Sequence, residues 1–158
     1  MYRKVEDFIN DWNHNCAGTL SIFEAITEEK KYQAIVVGHS TLEWLSWHLT
    51  TAPAYFCELI GLSLNLELDK ASTPPSIKEI IDNYRMMKET VTTTVKEQFT
   101  DDTLSNNIDM HGQSTAVGAV LRLMVDHQTH HHAQMQVLLR QAGLAIPGVM
   151  GSTKEASR

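Results

Sequence analysis

The stretch "VDHQTHHHAQMQ", residues 125–136, holds four of the chain's eight histidines within six positions. It lies far from both ends of the chain, so it is not a purification tag. Apolar residues on both sides, in "AVLRLM" and "VLLR", recur with a helical period. This pattern predicts a long helix over residues 114–142 that is closed by Gly143 and followed by Pro147 as a stop.

Helical geometry separates these histidines. At about 100° per residue, His127 and His131 share one line of the helix with apolar and amide side chains: Ala116, Val120, Leu123, Gln134 and Leu138. The i, i+4 spacing of the two imidazoles suits two ligands of one metal ion. His132 lies roughly 140° away and is predicted to face solvent. His130, on the flank, is open to three interpretations: a support for the ligands, a pocket wall or plain surface.

A third inward imidazole is predicted on another helix. His48 in "STLEWLSWHLTTAPAYF" shares its face with Thr41, Trp44, Ala52, Tyr55 and Leu59. An unpaired imidazole in a core costs on the order of 1 to 3 kcal/mol, so these rings need a partner. A helical bundle brings such faces together, and the sequence therefore predicts a metal site formed by His48, His127 and His131. His14, His39 and His111 are interpreted as solvated or loop histidines.

The whole chain is predicted to be all-α, with four helices and no convincing strand. The first helix covers residues 5–29. The second covers residues 41–60, opens with a capping box of Ser40 and Glu43, and ends at Gly61. The third begins near "TPPSIKEI" with Thr73 as its cap and carries an apolar stripe over residues 77–95. A long link, "GLSLNLELDKAST", would let helices two and three run parallel. We expect one four-helix domain over residues 1–150 and a flexible tail over residues 151–158.

Composition limits the function further. The 158 residues are 42% hydrophobic and carry a formal net charge of -6, so the chain should fold and should not bind nucleic acid. Neither a signal peptide nor a bilayer-spanning apolar run is evident, which favours the cytoplasm and no membrane partner. Cys16 and Cys57 are predicted to be buried free thiols. Trp12, Phe23 and Trp44 are assigned to the core.

The predicted site also limits the chemistry. Its "HQTHH" resembles the zincin H-E-x-x-H motif, but Gln128 stands where the catalytic glutamate would be, which disfavours a metalloprotease. Three imidazoles leave at least one coordination position open, as in catalytic rather than structural sites. Imidazole suits zinc, nickel, iron or copper, so the ligands do not select the ion.

These motifs resemble the DinB/YfiT-like superfamily of proposed metalloenzymes. Its hallmarks are one histidine late in "WLxxHL" and a second motif H-x-x-x-H-R-G-Q, here "EWLSWHL" and "HQTHHHAQ", followed by an ending similar to "VLLRQAGLAIPGVMG". His132 and Ala133 replace the usual arginine and glycine of the second motif, which affects the pocket and its packing but no ligand.

The resemblance implies an up-down-down-up four-helix bundle, often a homodimer, with a divalent ion held by His48, His127 and His131. Zinc or nickel is expected first, with iron or manganese as alternatives. Activities in the superfamily are mainly metal-dependent transfers or isomerisations that use low-molecular-weight thiols. Two hypotheses follow: a metal-dependent thiol S-transferase acting on a small-molecule thiol and an electrophile, or a non-catalytic metal- or ligand-binding stress-response protein. The family name refers to induction by DNA damage and implies no binding of nucleic acid.

Overall fold

The computed structural model describes residues 1–69, 71–72 and 76–155. Over these residues the chain forms four long helices, α1 (Val5–Glu24), α2 (Leu42–Leu59), α3 (Ile77–Gln98) and α4 (Val117–Ala142). Helices α1 and α2 each pack against both α3 and α4. The mostly helical fold that the sequence predicts is therefore confirmed.

The apolar stripes of the helices meet in one core. On α3 the predicted stripe is buried at Ile77, Ile80, Tyr84, Met87, Val91 and Val95, while Ile81 is only partly buried. Trp12 and Phe23 of α1 are fully buried, as predicted. Cys16 and Cys57 are buried free thiols, which confirms that assignment as well.

Helix α1 ends at Glu24, five residues before the predicted end. The amides of Ala25 and Ile26 bond to carbonyls three residues back, which tightens and closes the last turn. The charged residues that follow serve other elements. Glu28 accepts a hydrogen bond of 2.7 Å from the backbone amide of Ile77, the first residue of α3, and Lys31 forms an ion pair with Glu28.

The capping box predicted for α2 is wrong by one residue. Thr41, rather than Ser40, is the N-cap, and its hydroxyl accepts from the amide of Trp44 at 3.1 Å. Glu43 is directed instead at Lys31, 2.8 Å away, in an ion pair that is largely shielded from solvent. The cap predicted at Thr73 lies outside the described residues, and α3 has its capping box at Ser76 and Glu79.

An antiparallel hairpin precedes α4, and the sequence analysis missed it. Strands β1 (Asn107–Met110) and β2 (Gln113–Ala116) pair through a two-residue turn, so the predicted start of the fourth helix at residue 114 is wrong. Both turn residues, His111 and Gly112, have positive φ (54° and 83°). Such a turn matches the right-handed twist of paired strands. The side chain of Asp109 fixes it by accepting from the amide of Gly112 at 2.6 Å.

The C-terminal ends of α2 and α4 follow the predicted glycines. Gly61 and Gly143 both have positive φ (80° and 73°), the left-handed geometry that glycine adopts without penalty after a helix. Among the described residues, no helix is long and apolar enough to cross a membrane.

Candidate metal centre

Three imidazoles converge between α2 and α4, as predicted. His48 lies on α2, and His127 and His131 lie one turn apart on α4. The Nε2 atom of His127 lies 3.1 Å from that of His48 and 3.2 Å from that of His131. All three residues are partly buried, and one nitrogen from each falls within 4.8 Å of the others. The cluster could hold a metal ion.

The spacing of the nitrogens is compatible with one shared metal ion. Ligand nitrogens about 2.0 to 2.1 Å from a tetrahedral ion lie roughly 3.3 Å from each other. The two separations from His127, 3.1 and 3.2 Å, are close to that value. A neutral imidazole has a single N–H, so the Nε2 atom of His127 cannot donate to both neighbours at once. One ion shared by three lone pairs satisfies all of them.

Gln134 fixes the orientation of His131. Its Oε1 atom lies 2.7 Å from Nδ1 of His131. An amide oxygen only accepts, so Nδ1 carries the proton and Nε2 keeps its lone pair facing His127. The amide nitrogen of Gln134 lies 3.1 Å from Nε2 of His130. Metal-binding histidines commonly use their other ring nitrogen in this way, which gives Gln134 and His130 supporting positions beside the cluster.

The surroundings of the cluster lower the pKa values of all three imidazoles. Burial, together with the nearby imidazoles of His131, His48 and His130, lowers the pKa of His127 to about 4. Burial and the charge of His131 also lower the pKa of His48. Burial lowers the pKa of His131, although its hydrogen bond with Gln134 acts in the opposite direction. Lowered pKa values favour the neutral imidazoles whose lone pairs a metal ion needs.

Aromatic rings surround the cluster. The indole of Trp44 stacks on the ring of His48 with 5.0 Å between centroids and an interplanar angle of 8°. Phe56 meets His127 edge to face at 5.4 Å. The assignment of Trp44 to the core is wrong, because this side chain is 48% exposed and forms a wall of a cleft beside the histidines.

The prediction that His132 faces solvent is also wrong. This side chain is 2% exposed, and its Nε2 atom lies 2.6 Å from the hydroxyl of Thr19 on α1. The centre of the buried face of α4 is one residue further along than predicted, on the line of Leu121, Gln128, His132 and Met135. His127 and His131 lie at the edge of that face, and Leu123 is 43% exposed.

The physical reason is a buried polar network around Gln128 and His132, in which Nδ1 of His132 is left without a hydrogen-bond partner among the described residues. Gln128 Oε1 accepts from the hydroxyl of Thr19 at 2.9 Å and from the hydroxyl of Tyr84. Its amide nitrogen lies 3.8 Å from Sγ of Cys16. The sequence did contain a signal for this arrangement. Gln128 and His132 are themselves spaced i, i+4 in line with apolar residues, and Thr19 lies on the apolar face of α1.

His14, His39 and His111 are exposed, as predicted, and His130, for which three interpretations were open, is exposed as well. His111 is at the tip of the hairpin, and its Nε2 atom lies 2.7 Å from the hydroxyl of Tyr55. Gln128 points into the core rather than at the cluster, which agrees with the argument against a zincin-type base.

Four helices that bring one histidine of the second helix against an H-x-x-x-H pair of the fourth define a helical protein with a candidate three-histidine metal site. The sequence model of the DinB family matches residues 1–158, and the chain belongs to the DinB family.

Individual relatives agree with this assignment. The chain is 31% identical over 155 residues to the uncharacterized protein YrdA of Bacillus subtilis (strain 168), covering 98% of this chain and 93% of that protein. A crystal structure of a DinB-like protein from Bacillus cereus ATCC 10987 is similar with a TM-score of 0.88 and 33% identity, covering 94% of this chain and 99% of the other. The DinB-like protein YjoA of Bacillus subtilis shares the fold with a TM-score of 0.73, at 18% identity and with coverage of 92% and 99%.

Proposed function

We propose that this protein binds a divalent metal ion through Nε2 of His48, His127 and His131 and uses it in a thiol S-transferase reaction. The convergence of the three nitrogens, with His127 3.1 and 3.2 Å from its neighbours, is the observation that carries the proposal. Three imidazoles leave a coordination position open for a small molecule. A divalent ion there would lower the pKa of a thiol that reaches it, which favours the nucleophilic thiolate at neutral pH.

Residues around the three histidines orient the proposed ligands and leave the site accessible. Gln134 holds His131 in the tautomer that presents Nε2, and the ring of Trp44 covers one face of His48. The cleft beside them gives a second molecule access to the same position. Zinc or nickel is the expected ion because imidazole nitrogen suits both metals, and the family resemblance adds iron or manganese as alternatives.

The rest of the proposal concerns architecture and setting. An up-down-down-up order of the helices is supported by three contacts. The amide of Tyr2, just before α1, bonds to Gly118 at the start of α4. The start of α1 at Val5 bonds to Asp101, beyond the end of α3. Phe56, late in α2, meets His127, in the first half of α4. A single domain over residues 1–150, a homodimer and a cytoplasmic location complete the proposal and come from the resemblance and the composition.

Metal content tests the first half of the proposal. Protein purified without a histidine tag should contain about one equivalent of a divalent ion by elemental analysis. His131→Ala should lower the affinity sharply and stay helical by circular dichroism, while His14→Ala, an exposed histidine on α1, should bind like the parent. If titration of His131→Ala matched the parent, the ligand assignment would be wrong.

Activity tests the second half. The metal-loaded protein should conjugate bacillithiol, mycothiol or glutathione to an electrophile faster than the His131→Ala variant does. The alternative is a non-catalytic metal- or ligand-binding stress-response protein. One observation favours it: no carboxylate or amine side chain is among the described residues that line the cleft. Full metal occupancy with no conjugation of any of the three thiols would support that alternative.

A further inference from the structure

A cleft of about 360 Å³ opens beside the three histidines, between α2 and α4. Its volume is near the lower end of the range of about 300 to 1,000 Å³ that is usual for small-molecule sites. Four aromatic side chains of α2 line it, Trp44, Trp47, Tyr55 and Phe56, and His48 and His127 stand at one side. The cleft is therefore sized for a small molecule and has mostly ring surfaces to offer it.

Three polar groups of this lining are already paired within the protein. The indole N–H of Trp47 donates to the carbonyl of Asp69 at 3.2 Å. The hydroxyl of Thr51 donates to the carbonyl of Trp47 at 3.1 Å. The hydroxyl of Tyr55 is paired with His111 at 2.7 Å. A molecule in the cleft meets ring faces and aliphatic carbon, and polar contacts remain mainly on the side of the histidines.

The absence of charged side chains among the described residues of the lining also favours an uncharged ligand. None of the described residues that line this cleft is Asp, Glu, Lys or Arg, whereas a second cleft includes Arg3, Asp101 and Asp102. Moving an ionised group out of water without a partner is costly. A charged ligand in the aromatic cleft would therefore find no ion-pair partner among these residues.

Two of its walls are also unusually exposed for aromatic residues. Trp44 is 48% exposed and Tyr55 is 39% exposed, while Phe56 and Trp47 are buried, each with an exposed fraction of 7%. An apolar molecule that covers the two exposed rings removes their surface from water, which favours binding. The buried rings of Phe56 and Trp47 are thus already in place, and covering the exposed rings of Trp44 and Tyr55 favours binding.

We propose that this cleft binds an uncharged, mainly aromatic or aliphatic molecule, with its apolar body against Trp44 and Phe56 and its one polar or reactive group directed at the three histidines. The direction of the reactive group rests on the proposed function, in which this molecule is the electrophile. The apolar, uncharged character of the ligand rests on the lining alone and can be tested without a metal.

Three probes with one ring system test the ligand class: naphthalene-2-methanol, naphthalene-2-carboxylate and 2-naphthylmethylammonium. Binding is measured by isothermal titration calorimetry on the metal-free protein, because a carboxylate could bind zinc directly. The neutral alcohol should bind at least about tenfold more tightly than either ion, which corresponds to about 1.4 kcal/mol. The same alcohol should bind the zinc-loaded protein.

Two variants locate the binding. Ala52→Phe adds a ring inside the cleft and should weaken binding of the alcohol at least about tenfold, because it occupies the space of the ligand. Trp44→Ala removes a wall at an exposed position and should also weaken it. Val137→Phe adds the same ring at an exposed position on α4 outside this cleft, and it should leave binding within about twofold, as expected of a surface change.

The outcomes separate this inference from the metal site. Selective binding of the alcohol that Ala52→Phe and Trp44→Ala both weaken supports the inference, even if the parent protein binds no zinc. No binding of the alcohol, equal or tighter binding of either ion, or binding that neither cleft variant weakens would overturn it. Zinc stoichiometry, measured on the same samples, reports separately on the three histidines.

Discussion

The hydroxyl of Thr19 on α1 lies 2.6 Å from Nε2 of His132 on α4, inside the core. The same hydroxyl lies 2.9 Å from Oε1 of Gln128, which also accepts from Tyr84. Three helices, α1, α3 and α4, are therefore joined by one buried polar network beside the candidate metal-site residues. His131 and His132 are adjacent in sequence, yet one belongs to the candidate metal site and the other to the core.

This contact predicts that His132→Ala destabilises the protein. The change removes a buried ring and a hydrogen-bond partner of Thr19, and we expect a loss of about 2 to 3 kcal/mol in the free energy of unfolding. Urea denaturation followed by circular dichroism measures it. His130→Ala, an exposed neighbour, should change stability by less than about 0.5 kcal/mol. Equal stabilities of the two variants would mean that His132 contributes nothing to the core.

Gln134 should tune the metal site without supporting the fold. Its Oε1 atom accepts the Nδ1 proton of His131, and losing such a partner typically costs about 10- to 100-fold in metal affinity. Gln134→Ala should therefore weaken zinc binding about tenfold by competitive titration, while Gln134→Glu keeps an acceptor and should restore it. Gln141→Ala, an exposed glutamine further along α4, serves as the control. Unchanged affinity in Gln134→Ala would show that His131 needs no such support.

The arrangement of the histidines also shows which parts of the candidate site can be predicted from the sequence. The i, i+4 spacing on α4 and the apolar face around His48 were enough to predict the three-histidine cluster. They could not fix the rotation of α4, because both the 127/131 line and the 128/132 line combine polar with apolar residues. The choice depends on Thr19 and Tyr84, which lie more than 40 positions away in sequence and satisfy Gln128 in the core.

Local interactions explain why the N-cap of α2 and the hairpin before α4 differ from the prediction. Ser40 and Thr41 are both acceptable N-caps, and Glu43 fits a capping box only if no cation competes for it. Lys31, brought near by the turn after α1, is that cation. The hairpin before α4 was missed because its turn is His-Gly rather than the more familiar Asn-Gly or Asp-Gly. Asp109, two residues before the turn, supplies the missing polar contact with Gly112.

Acid should destabilise the metal-free protein. Burial is the main cause that lowers the pKa of His132 and that of His127, each to about 4. In an unfolded chain a histidine has a pKa near 6.5. Between these values the unfolded state binds more protons, so the free energy of unfolding falls as pH drops from about 6.5 to about 4. The contribution of the buried His132 is at most about 3 kcal/mol. That of the partly exposed His127 is smaller.

Chelator-treated protein unfolded in urea at pH 7.5, 6.0 and 5.0 gives the measurement. His132→Ala should lose less stability than the parent over this range, because one of the groups that must take up a proton is gone. Parallel loss in the two proteins would show that other groups, rather than His132, set the acid sensitivity. His14→Ala, which alters an exposed ring, should follow the parent.

The link between the hairpin and α2 provides the last prediction. The hydroxyl of Tyr55 lies 2.7 Å from Nε2 of His111, and the two rings stack with 6.5 Å between centroids. His111 holds a positive φ at the tip of the hairpin, a conformation that few non-glycine residues adopt. Tyr55→Phe removes the hydrogen bond but keeps the ring, so the overall free energy of unfolding should change by no more than about 1 kcal/mol.

The amides of residues 107–116 should exchange with deuterium faster in Tyr55→Phe, because the tip of the hairpin loses a tertiary anchor. Tyr32→Phe, at an exposed tyrosine outside this contact, should leave that exchange unchanged. If Tyr55→Phe exchanged at the parental rate, stacking and the turn alone would hold the hairpin in place, and the hydroxyl would have no structural role there.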